Sequence, residues 1–293
     1  MTTKTTGVLA IFGASLMWAI EATFVKLASN AGADFLDTCT FRAIGVAMTA
    51  LVYVLLTRRG RDLRITRGQF SVLVYIALVG TMVADMLYVY ALGGIPVVNA
   101  VLIGHMQPIW VVLIGYFVLR EDKLTKYDYF GISIMMIAGL LVATKTPANL
   151  RGLRLGTVGD LLVLGATAAW ATTGIAMRKY LRELNAGVLT FYRFAVASAI
   201  FLTYMLLRSD LVLPSIYQIL VGIVVGVGTI FYYEGLKRLK AAQVSALELS
   251  TPLFAVAFSF LILSEAVELM QLFGIVMLIV GVHFLSTKEE TYF

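Results

Sequence analysis

The apolar positions fall in runs of about twenty residues, long enough to cross a bilayer as helices, separated by short polar breaks. Ten runs predict helices over 7–29, 35–57, 69–91, 96–119, 126–145, 156–179, 187–207, 214–237, 241–264 and 270–286. Buried spans are apolar all round, so periodicity does not sharpen these bounds. The longest connections, near 58–68 and 146–155, hold about ten residues each and leave no room for a folded domain outside the membrane. The expected fold class is an all-α integral membrane protein.

The pattern repeats after five spans. Trp18-Ala19 matches Trp170-Ala171, Phe41-Arg42 matches Tyr192-Arg193, and Phe130-Gly131 matches Phe273-Gly274. Asn99 with Gln243, Pro108 with Pro252 and Glu121 with Glu265 share one offset of 144. An odd number of spans copied once places the second copy upside-down. The expected organisation is therefore two inverted five-helix repeats, 1–146 and 147–293, in one membrane domain. Inverted repeats are a common transporter architecture, with the substrate site between the halves.

Composition fits this picture: 293 residues, 60% hydrophobic and 14% charged, with a mean hydropathy of +0.91. No small-residue cleavage pattern follows the first run, so it is expected to stay as a span. Of the 23 Lys and Arg residues, sixteen fall on the side that holds both termini, four on the other and three within spans. That bias predicts cytoplasmic N and C termini and a multi-pass protein of the cytoplasmic membrane. The basic pI then reads as topology and attraction to anionic lipid, with no nucleic-acid partner. One cysteine, Cys39, excludes an intrachain disulfide and a cysteine-based metal site.

At the repeated residues the chain resembles the drug/metabolite transporter superfamily, in its ten-helix EamA-type branch. The strongest stretch is residues 232–282, with Pro252, then Glu265 thirteen residues later, then a glycine-rich last span. Pro108, Glu121, Gly131 and Gly139 repeat it in the first half. The resemblance implies a basket-like bundle around a central cavity, working by alternating access. It does not single out a substrate, since the branch exports amino acids, amines and other metabolites.

An ionisable residue at membrane depth costs at least about 2.5–3.5 kcal/mol on insertion scales and usually has a partner or a task. The candidates are Glu21, Arg42, Asp85, His105, Arg193, Glu234 and Glu248. At about 1.5 Å rise per residue, Glu21, Arg42 and Asp85 are expected in the outer half and Arg193, Glu234 and Glu248 in the inner half. One reading makes these two gates: Arg42 with Glu21 or Asp85, and Arg193 with Glu234 or Glu248. The other makes the arginines permanent pins between helices. Glu234, close to a span end, can instead reach the headgroups.

A carboxylate in a poorly hydrated cavity can carry a coupling proton, and Glu21 and Asp85 are the candidates. The alternative for Glu21 is a structural pair with Arg42. Trp18 lies three residues before Glu21, on the same helix face, an arrangement suited to an ammonium group or a ring. Asp85 and Tyr88 repeat that pairing. Ser245 and Glu248 share a face of the ninth span, and Trp170 answers Trp18 in the second half. His105 either relays protons or bonds a backbone carbonyl. Asn99 and Gln243 either cap helices or touch substrate. Pro108 and Pro252 each free a carbonyl one turn back and read as paired hinges or as static kinks. Gly222-x-x-x-Gly226 fits close helix packing, and Glu121 and Glu265 read as structural anchors.

No G-x-S-x-G, H-E-x-x-H or phosphate-binding glycine loop is present, so no enzyme activity, cofactor or metal is expected. Within the spans, Glu21, Asp85, Glu234 and Glu248 outnumber Arg42 and Arg193: with both arginines neutralised structurally this favours a cation or an α-amino group, and with one arginine free it gives an amino-acid site. The expected function is a monomeric, proton-coupled exporter of amino acids or related small metabolites. A cationic amine or drug exporter is the alternative.

Overall fold

The computed structural model describes residues 3–114, 116–117, 126–152, 156–181, 183–208, 213–239, 244 and 247–287. Its long helices are α1 (Thr3–Asn30), α2 (Phe35–Leu56), α7 (Lys126–Thr144), α9 (Val158–Tyr180), α10 (Ala186–Arg208) and α11 (Ile216–Arg238). The third span is composite: α3 (Arg67–Ile76), a π-helix (Ala77–Asp85) and α4 (Met86–Gly94). The fourth is broken into α5 (Val97–Gly104) and α6 (Gln107–Ile114). A short α8 (Pro147–Arg151) follows α7, and α12 (Ser250–Leu263) and α13 (Leu269–Thr287) complete the described chain.

Among the described residues eight spans are long and apolar enough to cross a membrane, and two shorter apolar helices, Ser250–Leu263 and Leu269–Phe284, follow. The chain is thus a multi-pass membrane protein. Its periphery exposes Leu56, Leu207 and Leu261, as a surface facing lipid requires. Small residues such as Ala19, Ala22, Ala43 and Ala50 are fully buried where helices meet, which lets backbones approach.

Polar side chains start several helices and then reach further. Thr66 with Gln69, Thr157 with Asp160 and Ser215 with Gln218 form capping boxes on α3, α9 and α11, each satisfying backbone donors that the helix leaves open. Asp160 also accepts from Asn99 at 3.1 Å, and Gln218 donates to Thr38 at 3.1 Å. Asn99 in turn accepts from Gln271 at 2.6 Å. The Asn99–Asp160–Gln271 knot joins the beginnings of α5, α9 and α13, so Asn99 is a tie between helices. Its partner in the sequence match, Gln243, lies outside the described residues, as does Glu121. Glu265 accepts from the Val97 backbone N–H at 3.0 Å, a structural role.

α1 packs on α11 and α12, α2 on α10 and α11, and α7 on α13. The α2–α11 contact is backbone against backbone: a Cβ on Gly45 would stand 2.7 Å from the Gly222 Cα, and one on Gly226 would stand 2.7 Å from the Thr49 Cβ. Glycine is needed at Gly45 and Gly222 because no side chain fits between the two axes.

The described helices depart from the expected spans at two prolines and at a π-helix. The fourth span, expected as one helix over 96–119, breaks at His105–Met106. Pro108 cannot donate to the Gly104 carbonyl, and the proline falls in the first turn of α6, where its missing N–H costs nothing. Pro252 likewise sits in the first turn of α12. The third span carries nine residues of π-helix, a form that propensity does not foretell and that often marks functional sites.

Candidate functional site

A cavity of about 300 Å³ lies at the centre of the bundle, at the lower end of the range for small-molecule sites. Its lining includes Trp18 and Glu21 of α1, Arg42 of α2, Asp85, Tyr88 of α4, His105, Pro108, Trp170 of α9, Arg193 of α10, Tyr232 and Tyr233 of α11, and Glu248. Ser245 lies outside the described residues.

Four charged side chains form one buried network. Arg42 donates from Nε to Glu21 Oε1 at 2.7 Å and from Nη1 to Asp85 Oδ2 at 2.6 Å. Arg193 Nη2 approaches the same Asp85 oxygen at 3.4 Å. Asp85 Oδ1 accepts from the Trp170 indole at 2.8 Å. Arg193 also donates from Nε to Thr81 at 2.9 Å and from Nη1 to the Tyr233 hydroxyl at 3.4 Å. Both guanidiniums lie over the Phe194 ring, 5.7 Å away for Arg42 and 4.8 Å for Arg193. Two positive and two negative groups thus sit together away from water, with hydrogen bonds meeting part of the desolvation cost.

The π-helix sets this up. It carries Thr81 in its middle and Asp85 at its end, and both face Arg193. Gly80 lies beneath the guanidinium, 3.2 Å from Nη2 to the position a Cβ would take, so the arginine lies almost against the π-helix backbone.

Arg42 holds both carboxylates expected as its partners, whereas Arg193 is not joined to Glu234 in a separate pair. Arg193 meets Asp85, the carboxylate that Arg42 also holds. Depth read from sequence locates Cα atoms, whereas an arginine side chain reaches further than one helical turn of about 5.4 Å. Arg42 and Arg193 can therefore converge on one carboxylate although their Cα atoms lie on different helices. Glu234 pairs with Arg238 and stands 4.0 Å from Lys237. All three belong to the last turns of α11, so Glu234 is engaged at a helix end rather than with Arg193.

Aromatic rings form the rest of the wall. Trp18 packs on Tyr232 at 5.0 Å between centroids and Tyr88 on Trp170 at 5.3 Å. His105 lines the cavity but its Nδ1 lies 2.7 Å from the Val101 carbonyl, the backbone-bonded alternative of the two expected for it. Thr81, Asp160 and Gln271 were not legible as site or tie residues. Asp160 alone carries a sequence signal, as the third residue of a capping box. Lys26 was expected only as a residue within a span; its ammonium donates to the carbonyls of Leu92, Gly93 and Ile95 at 3.0–3.2 Å, closing the end of α4 as a cation at a helix C-terminus does.

The profile of the EamA-like transporter family matches residues 5–144 and 157–287. An uncharacterized transporter of Methanothermobacter thermautotrophicus is 26% identical, covering 93% of this chain and 84% of its own. The pseudopaline exporter CntI of Pseudomonas aeruginosa is 25% identical, covering 97% of each chain. A solved crystal structure superposes with a TM-score of 0.66 at 17% identity, over 98% of this chain and 99% of that one, a likeness of fold.

Proposed function

The chain belongs to the EamA-like transporter family, and from that premise we propose that it is a secondary active exporter of small metabolites bearing an ammonium group, neutral and aromatic amino acids foremost. The proposal includes ten spans in two inverted halves, cytoplasmic termini, a place in the cytoplasmic membrane and alternating access. The exporter among its relatives supports the direction.

The observation that carries the substrate class is the charge of the cavity lining. Glu21, Asp85 and Glu248 face Arg42 and Arg193 there, a formal excess of one negative charge among the described lining residues. In a poorly hydrated space that excess attracts a cation. The Trp18–Tyr232 and Tyr88–Trp170 pairs supply ring faces for an ammonium group or for an aromatic body. Those same rings favour the second reading, an exporter of cationic amines. Glu21 and Asp85 are the groups we propose to exchange a coupling proton, because both are buried carboxylates on the cavity lining. Pro108 and Pro252 mark the hinges in this scheme, with His105 on the lining beside the first.

The experiment is transport by purified protein in liposomes, with labelled amino acids and amines, with and without a pH gradient. Counterflow of an amino acid that the gradient accelerates supports the proposal. Movement of amines alone supports the second reading. Transport indifferent to the gradient removes the proton coupling.

A further inference from the structure

We propose that Arg193 is the receptor for a carboxylate of the transported molecule, and that Asp85 is the resident counter-ion which that carboxylate displaces. The inference rests on the cavity being the transport site and deepens it by separating zwitterions from simple amines.

The two guanidiniums of the network are held differently. Arg42 makes two short bonds to carboxylates, at 2.7 and 2.6 Å, lengths typical of charge-assisted hydrogen bonds. Arg193 is anchored at Nε by the neutral Thr81 hydroxyl at 2.9 Å. Its terminal nitrogens reach Tyr233 and Asp85 only at 3.4 Å, beyond the usual range for N–H donors. The terminal fork of an arginine is the part that binds a carboxylate bidentately. In Arg193 that fork is the loosely held part. Its side chain is also the more exposed of the two, 13% against 8%, and it lines the cavity.

The partners it would leave are provided for. Asp85 keeps Arg42 at 2.6 Å and the Trp170 indole at 2.8 Å when Arg193 moves. Arg193 keeps Thr81 and the Phe194 ring. An incoming carboxylate therefore exchanges one long ion pair for two short bonds and strands no buried charge, the condition under which breaking such a pair is costly.

Charge then restricts the molecule. A bare carboxylate adds a second negative charge to a lining already in formal excess, which the low dielectric penalises. A zwitterion brings its own cation. The chemical class is thus a neutral α-amino acid or a similar amino-carboxylate, with Arg193 as the residue that selects it against the corresponding amine.

The displaced contact also lies across the duplication. Glu21, Arg42 and Asp85 fall within the first family match and Arg193 within the second. A carboxylate that takes Arg193 loosens a charged tie between the two halves at the cavity, which links occupancy to their relative movement.

The test uses wild-type protein in liposomes and labelled L-phenylalanine, L-leucine and phenethylamine. Unlabelled L-phenylalanine, L-phenylalaninamide and phenethylamine are the competitors. The acid is expected to compete at least about tenfold better than the amide, as a charged hydrogen bond implies. Arg193→Gln brings acid and amide within about twofold of each other, and Arg193→Lys restores part of the difference by returning charge without the fork. The acid-to-amide ratio does not depend on how much protein folds. Equal competition by acid and amide in wild type overturns the inference while leaving transport intact. So does an unchanged ratio in Arg193→Gln. No movement of any probe overturns the transport reading and this inference together.

Discussion

Asp85→Asn removes one negative charge, keeps the side-chain shape and leaves two buried guanidiniums with Glu21 alone. Its cost follows from the geometry. Asp85 Oδ2 lies 2.6 Å from Arg42 and 3.4 Å from Arg193. Unit charges about 4 Å apart attract by about 4 kcal/mol at an effective dielectric near 20, and the longer Arg193 contact adds less. Part of this returns when the carboxylate no longer has to be desolvated. The net expectation is a loss of about 3–5 kcal/mol, typical of removing one partner from a buried pair. Glu21→Gln should cost less, because Glu21 touches one guanidinium and Arg42 keeps Asp85. Chemical unfolding of purified protein in detergent micelles measures both. A double-mutant cycle with Arg193→Gln adds the decisive term, since removing the unpaired cation should recover part of the Asp85→Asn loss. The reasoning is refuted if Asp85→Asn stays within about 1 kcal/mol of wild type, or if Arg193→Gln deepens its defect additively.

Four further outcomes are expected. Gly222→Ala puts a Cβ against the Gly45 backbone, where the added methyl would meet the Gly45 Cα at 2.7 Å; it should lose about 1–3 kcal/mol by overpacking, read by the same unfolding assay. Asn99→Leu cuts the tie between Asp160 and Gln271 and should cost about 1–3 kcal/mol for the buried groups it strands, whereas an effect under about 0.5 kcal/mol means the two re-pair. Trp170→Phe keeps the ring but removes the donor to Asp85; it should cost about 1.5–3 kcal/mol and weaken counterflow of labelled L-phenylalanine. Glu234→Gln breaks a partly exposed pair within one helix and should change stability by only about 0.3–0.5 kcal/mol and leave transport rates unchanged; a loss of transport would restore it to the gate.

The helices were legible because apolar runs of bilayer length have few other uses, and the observed ends fall close to those expected where a capping box starts the helix, as at Thr157 and Ser215. The break in the fourth span was half legible. Pro108 announces a lost hydrogen bond but not that the chain turns three residues earlier, at His105. The π-helix was not legible at all: no residue between Ala77 and Asp85 demands it, and the segment packs against α9 and α10. Residues of the cavity could be picked out because a charge at membrane depth has to be explained, and Glu21, Arg42, Asp85, Arg193 and Glu248 all line it. The partners of Arg42 were among those expected, but the meeting of Arg193 with Asp85 was not, because a pairing depends on side-chain reach and on the rotation of each helix.

That failure changes how the site is understood. Two separate gates would make each arginine answer to its own carboxylates, and motion at one face would leave the other undisturbed. A single shared carboxylate couples them. Asp85 cannot tighten on Arg193 without weakening its share of Arg42, because both draw on Oδ2. It cannot release Arg193 without concentrating its charge on Arg42 and Trp170. The short bonds at 2.6 and 2.7 Å stay within the first matched segment and the long one at 3.4 Å crosses to the second. The Trp170 indole, also of the second segment, holds Asp85 at 2.8 Å. If the two segments move as proposed, Arg193 therefore makes the longer of the two bonds to Asp85 that the motion strains, and it is the one for which a substrate carboxylate is proposed to compete. Under that proposal ligand and motion act on the same bond, which is the requirement for a ligand to bias one of two states.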